Sequence, residues 1–292
     1  MNTPILNIKN LQRKIDQVTI IKNITAQVNA GDVVALLGKN GAGKTTLLET
    51  LLGFAFPAYG SVELWGEMAT EITGDIKQRI GFVPQQSELL LGFRGKDHVE
   101  LFKSFRTQWN QTLVDKLVVE WLIPMDISVG KMSLGQQQKL SILLAMAHEP
   151  DLLILDEPVA SLDPVARRQF LQQLVEVAAE MNRAIIFSSH IVNDMERIAN
   201  QVWMLENGEL GYQGGLDELK ESIARITIRS EHPLPANLGL DNIVRKKIEG
   251  KEAIVTVKKW QPELQFQIEK TFQAQVHVEY LSLEDIFLEL NS

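Results

Sequence analysis

One segment limits this chain more than any other. Gly38, Lys39, Asn40, Gly41, Ala42, Gly43, Lys44 and Thr45 follow an unbroken apolar run, Val33-Val-Ala-Leu-Leu37, and open a segment with helical spacing over 44–52. The glycines free the backbone to wrap so that successive N–H groups face one point, and a helix starting there adds the positive end of its dipole. An apolar run without alternation reads as a strand covered on both faces, as in a parallel sheet flanked by helices. The spacing G-x-x-x-x-G-K-[ST] in that setting is a phosphate-binding loop. Lys44 would bridge the β- and γ-phosphates of a nucleotide, Thr45 would ligate Mg²⁺, and Thr46 follows it in the contact set.

Two more runs of the same kind are Leu152-Leu-Ile-Leu155 and Ala184-Ile-Ile-Phe187. The first ends in Asp156 and Glu157, which places two acids at the carboxyl edge of the sheet, where open α/β sheets bind ligands. Asp156 would hold Mg²⁺ and Glu157 would polarise an attacking water. Helical segments are expected at 44–52, 136–148 and 164–181, with Asp163 as N-cap and Pro164 at the first helical position. Residues 5–36 alternate and turn like antiparallel strands, at 5–8, 19–21 and 25–28.

After about residue 220 the pattern becomes β-rich. Strands are expected at 224–229, 244–248, 253–257 and 275–280, with helices at 262–271 and 283–290. The expected division is 1–220 as the main α/β domain and 221–292 as a small α+β domain.

Composition removes several classes of function. Among 292 residues, 29 Lys and Arg stand against 37 Asp and Glu, a formal net charge of −8, which gives no field to attract phosphate polymers and excludes nucleic acid as a default partner. With no cysteine there is no disulfide, thiolate metal site or cysteine nucleophile. The first ten residues lack the basic and apolar regions of a signal peptide, and no apolar stretch approaches the ~20 residues of a spanning helix, so a cytoplasmic location is expected.

From residue 5 to about 220 the chain resembles the ATP-binding cassette family. Further elements stand in the family's order. Val83-Pro84-Gln85 resembles the Q-loop, Met132-Ser133-Leu134-Gly135-Gln136 the signature, Ala160-Ser161-Leu162-Asp163 the D-loop, and Ser188-Ser189-His190 the switch histidine. The resemblance implies a P-loop ATPase domain with a parallel-sheet core, an antiparallel β subdomain and a helical subdomain at about 86–132. It implies that Gln85 reaches Mg²⁺ and water, and that His190 contacts the γ-phosphate beside the catalytic Glu157 and Lys44. Ser133, Gly135 and Gln136 would close over ATP held by another subunit, which calls for a homodimer or a heterodimer. Ser133 and Gln136 also have capping-box spacing, and the two roles are compatible. Asp163 reads equally as an N-cap and as a subunit-interface residue.

The implied activity is Mg²⁺-dependent ATP hydrolysis driving a separate transmembrane permease subunit, with the chain peripheral on the inner face of the membrane. The segment 106–123 and the tail from Leu281 are similar to the branch of bacterial bacitracin- and acetoin-type exporter ATPases, which implies export. A soluble cassette ATPase acting on the ribosome is the alternative; such chains carry two cassettes or long coiled-coil insertions, and neither is present. Two departures stand out. The usual Leu-Ser-Gly-Gly-Gln has become Met132 and Leu134 at its first and third positions. The aromatic that commonly stacks on adenine is missing from 11–17, leaving Arg13 or Ile15 to pack on the base.

Overall fold

The structure, a computed structural model, describes residues 3–159, 162, 164–179 and 183–290. It divides into two compact units, Met1–Gln213 and Gly214–Ser292.

The first unit opens with β1 (Leu6–Ile15) and β2 (Val18–Val28), followed by β3 (Val33–Leu37), α1 (Lys44–Leu51), β4 (Tyr59–Leu64) and β5 (Glu67–Met68). β2, β1, β4 and β5 form an antiparallel sheet in that order. The short strand pieces expected at 5–8, 19–21 and 25–28 are parts of two long strands. Register shifts within the β1–β2 pair break the period-two pattern, so alternation alone undercounts their length.

α2 (Gly74–Gln78) leads to β6 (Ile80–Val83), and then α3 (Gly95–Ser104), α4 (Gln111–Glu120) and α5 (Leu134–Met146) precede β7 (Leu152–Leu155). α5 begins two residues before the expected start because Ser133 caps it. The Ser133 Oγ accepts from the Gln136 N–H at 3.2 Å, and the Gln136 Oε1 accepts from the Ser133 N–H at 2.9 Å. α6 (Pro164–Ala179), β8 (Ala184–Ser189), α7 (Val192–Met195), β9 (Gln201–Glu206) and β10 (Glu209–Gly215) complete the order. Asp163, Ala160, Ser161 and the end of the expected 164–181 helix lie outside the described residues.

The central sheet runs β10-β9-β3-β8-β7-β6. β3 pairs in parallel with both β8 and β9, β7 with both β6 and β8, and the residues of β3, β7 and β8 are all buried. Leu36, Leu47, Leu48, Ile154 and Ile186 share one apolar cluster with Leu6, Ile8 and Ile24 of the antiparallel sheet. In the register, Leu37 lies opposite Ser189, Phe187 opposite Leu155 and Leu155 opposite Val83. Four strands therefore stop at one edge, and the loops that leave them share it.

The second unit holds α8 (Leu216–Ser222), β11 (Ile223–Ser230), β12 (Ile243–Glu249), β13 (Glu252–Lys258), α9 (Pro262–Phe272), β14 (Ala274–Tyr280) and α10 (Leu283–Leu290). The expected junction at 220 falls inside α8, whose Leu216 and Leu219 are buried. The sheet order is β12-β13-β11-β14, with each neighbour antiparallel. Ile226, Ile228, Val255 and Val257 face one core with Trp260 and Ile268. The proline-containing loop between β11 and β12 joins it through Leu234 and Leu238.

Candidate functional site

A cleft of about 390 Å³ opens where the strands end, lined by Asn40, Gly41, Gly43, Lys44, Thr45, Thr46, Gln85, Asp156, Glu157, Ile15 and Ile20. The loop after β3 takes the shape its glycines allow. A Cβ on Gly38 would meet the Leu205 carbonyl oxygen at 2.6 Å, and Gly43 has φ +104°, in the left-handed region that glycine favours. Gly38 thus lets the turn press against β9, and Gly43 hands the chain to α1 one residue before Lys44. Gly38, Lys39 and Ala42 stay off the cleft lining and shape the loop around it.

Lys44, Asp156 and Glu157 are charged and nearly buried, at 8%, 1% and 7% exposure. Burying charge is costly without compensating partners: Lys44 and Glu157 pair with one another, whereas Asp156 is held by two hydroxyls. The Lys44 Nζ donates to the Gly38 carbonyl at 2.8 Å and lies 3.6 Å from the Glu157 Oε1. The other Glu157 oxygen, Oε2, is 2.8 Å from the His190 Nδ1. Glu157 is thereby held between the lysine that opens α1 and the histidine that follows β8. Its φ of +48° is one that a residue with a Cβ seldom adopts, and such strain costs roughly 1–3 kcal/mol. The Glu157 N–H is anchored on the Ser188 Oγ at 2.8 Å, and the Ser188 hydroxyl in turn donates to the Asp156 Oδ1.

Asp156 completes the set on its other side. Its Oδ2 accepts from the Thr45 hydroxyl at 2.7 Å, and its N–H donates to the Val83 carbonyl at 2.9 Å, which ties the end of β7 to the end of β6, two residues before Gln85. Thr45, Asp156 and Gln85 thus bring a hydroxyl, a carboxylate and an amide to one place. Ser188, named in the sequence only as part of the switch-histidine motif, proves to have a role of its own. Its signal was a serine continuing an apolar, fully buried run, where a hydroxyl needs a partner.

The structure does not bring Ser133, Gly135 and Gln136 into this cleft. They stand at the N-terminus of α5, where Leu134 is 69% exposed. Arg13 is also elsewhere, since its Nη1 donates to the Phe56 carbonyl at 2.7 Å, whereas Ile15 lines the cleft.

A family model described as ABC transporter matches residues 21–160. Over 225 residues the chain is 30% identical to the bacitracin transport ATP-binding protein BcrA of Enterococcus faecalis, an alignment covering 76% of this chain and 73% of that one. The chain belongs to the ATP-binding subunits of ABC transporters. It is also 30% identical over 227 residues to the Nod factor export ATP-binding protein I of Burkholderia orbicola, covering 76% and 74% of the two chains. A solved ATP-binding subunit of an ABC transporter superimposes with a TM-score of 0.67 at 26% identity, over 74% of this chain and 92% of that one.

The ABC subunit fold is therefore that of the P-loop ATPase domain, as the glycine loop and the parallel sheet require. As an ABC ATP-binding subunit the chain binds ATP and couples its hydrolysis to transport. Subunits of this family dimerise and work with membrane permease components. Among the described residues no helix is long and apolar enough to cross a membrane.

Proposed function

We propose that this chain is the motor of an exporter, peripheral on the cytoplasmic face of the membrane through a permease, and that its cleft hydrolyses ATP with Mg²⁺. The observation that carries the catalytic reading is Glu157, a buried carboxylate in a strained backbone, suspended between Lys44 and His190 at the edge of a glycine loop. Lys44, with the loop 38–46, holds the triphosphate. Glu157 orients the water and takes its proton, and His190 fixes the Glu157 carboxylate while facing the γ-phosphate.

Thr45, Asp156 and Gln85 fit Mg²⁺ by their chemistry: all are oxygen donors, and a metal that binds through one or two carboxylates plus substrate phosphates needs no cage of its own. When bound, the ion neutralises charge on the phosphate oxygens.

Ser133, Gly135 and Gln136 cap a helix whose N-terminus does not line this chain's own cleft, which supports their closing over ATP in a second subunit, with Asp163 at the same interface. The chain carries one copy of each motif, so two chains, identical or homologous, complete two sites. Export follows the relatives named for Nod factor export and bacitracin transport. The two compact units correspond, on this reading, to an ATPase domain and a C-terminal accessory domain.

The experiment is recovery of the tagged Glu157→Gln chain with ATP from native membranes in detergent. A multi-helix membrane protein in stoichiometric amount is expected. Recovery of ribosomes, or of nothing from the membrane, would contradict the transporter reading.

A further inference from the structure

The four-stranded sheet of the second unit has two edges, and the sequence treats them in opposite ways. β12 carries Arg245, Lys246 and Lys247 in succession and shifts register between Ile243 and Arg245. Basic side chains and a bulge are devices that keep an exposed edge from pairing with another chain. β14, the other edge, reads Ala274-Gln-Val-His-Val-Glu-Tyr280, without Lys, Arg or Pro, and keeps an unbroken register against β11. Among the described residues no strand pairs with its outward side.

The ladder sets which backbone groups that side presents. The Ser230 N–H donates to the Lys251 carbonyl at 2.9 Å, so the even-numbered residues of β11 turn to β13, and Arg225, Thr227 and Arg229 turn to β14. Their partners there are Glu279, His277 and Gln275. Ala274, Val276, Val278 and Tyr280 therefore point their N–H and C=O groups away from the sheet. The Val276 carbonyl agrees with this phase, since it accepts from the Gln265 side-chain amide of α9 at 3.4 Å. A carbonyl has a second lone pair, so that long bond leaves room for a ladder partner.

We propose that this edge pairs with the same edge of a second copy of the chain, antiparallel and with His277 on the two-fold axis, so that two four-stranded sheets become one. This register uses all four outward-facing residues, with Val276 opposite the partner's Val278 and Ala274 opposite the partner's Tyr280. A contact about a two-fold axis must be self-complementary, and the side chains meet that demand on both faces. On the core side valine meets valine, and the broad Tyr280, 59% exposed, meets the small Ala274. On the other side Gln275 brings an amide donor to the partner's Glu279, a carboxylate whose own Arg225 lies 3.4 Å away. No two carboxylates face one another. The nucleotide cleft takes no part, so the contact forms without ATP and joins two identical chains.

The chain has no cysteine, so a single introduced one reports on this register without background. Because His277 turns its backbone inward, its pair across the axis is of the non-hydrogen-bonded kind. Its Cα atoms are then about 4.5 Å apart, within the ~4.4–6.8 Å that a disulfide spans. The experiment is mild oxidation of the nucleotide-free full chain carrying His277→Cys, Gln275→Cys or Glu279→Cys, all at exposed positions, followed by non-reducing electrophoresis. His277→Cys should cross-link about tenfold or more faster than the other two, whose positions lie about 14 Å from their own copies along the strand. Sedimentation without nucleotide should show a dimer. Its dissociation constant should rise about threefold or more with Gln275→Glu, which opposes two carboxylates, and fall with Gln275→Lys, which opposes an ammonium and a carboxylate. Cross-linking at 277 no faster than at 275 or 279, or a nucleotide-free chain that sediments as a monomer, would overturn the proposal. A dimer that forms only with ATP would also overturn it, while leaving the reading of the cleft intact.

Discussion

The two compact units carry their information differently. In the second, Ile226 and Ile228 of β11 face Val255 and Ala253 of β13 in plain alternation, and the apolar side of that sheet is covered by Ile268 and Trp260. From β11 onward every strand and helix there can be found from period and turn residues. In the first unit the strands around the site are buried on both faces and show no alternation. What marks the site is the polar residue that breaks each run: Lys44, Asp156 with Glu157, and Ser188 with His190. Alternation tells where a surface lies, and an interrupted buried run tells where chemistry is held. A chain can be rich in one signal and empty of the other.

The contrast can be broken most sharply at Lys44. Its ammonium is the buried cation beside Glu157, so Lys44→Ala should lower ATP turnover by a hundredfold or more, the usual cost of deleting a preorganised charge at phosphate. Steady-state phosphate release checks this, and a loss under threefold would remove Lys44 from the machinery. The matching change in the other unit is Ile226→Ala, which empties a fully buried position. It should cost about 2–5 kcal/mol in the transition of that unit in urea. The ATP Kd of the first unit should stay within twofold, and a large shift in that Kd would mean that the two units do not behave as separate bodies.

A smaller effect sharpens what burial does inside the first unit. His148 is 3% exposed and its Nε2–H donates to the Ile80 carbonyl at 3.0 Å. Burial, then the positive charges of Arg106 and Arg183, lower its pKa from 6.5 to about 4. The unfolded chain therefore binds the extra proton first. The contribution of His148 to stability is fully present above pH 6.5 and is lost as the pH falls towards 4, up to about 3 kcal/mol in all. Denaturant midpoints measured from pH 7 to 4.5 should fall more steeply for the natural chain than for His148→Gln. Equal slopes would rule out this source.

Much of this was legible beforehand, for physical reasons that differ by place. The glycine loop, Asp156 and Glu157 could be read because their spacing is dictated by phosphate geometry and by the edge of a parallel sheet. The start of α5 was misjudged by two residues, although Ser133 and Gln136 already showed the capping pair that sets it. The β1–β2 hairpin was harder, since its bulges erase the alternation on which strand reading relies, and only the register separates Ile15 at the cleft from Arg13 beside Phe56. The role of Ser188 is not legible from its motif, because it holds Asp156 and the Glu157 backbone together, and a contact between residues 32 positions apart has no local spacing to betray it. The left-handed backbone of Glu157 has no sequence signature at all.

The central claim is that Glu157 prepares the attacking water while the loop around Lys44 holds the nucleotide. It is tested most directly by single-turnover hydrolysis of pre-bound ATP in the assembled transporter, natural chain against Glu157→Gln. The account predicts that ATP remains bound within a few-fold of normal affinity and that the rate of cleavage falls by about 10²–10⁴, the range that a positioned general base contributes. A Glu157→Gln chain that binds ATP and cleaves it at the natural rate would contradict the account.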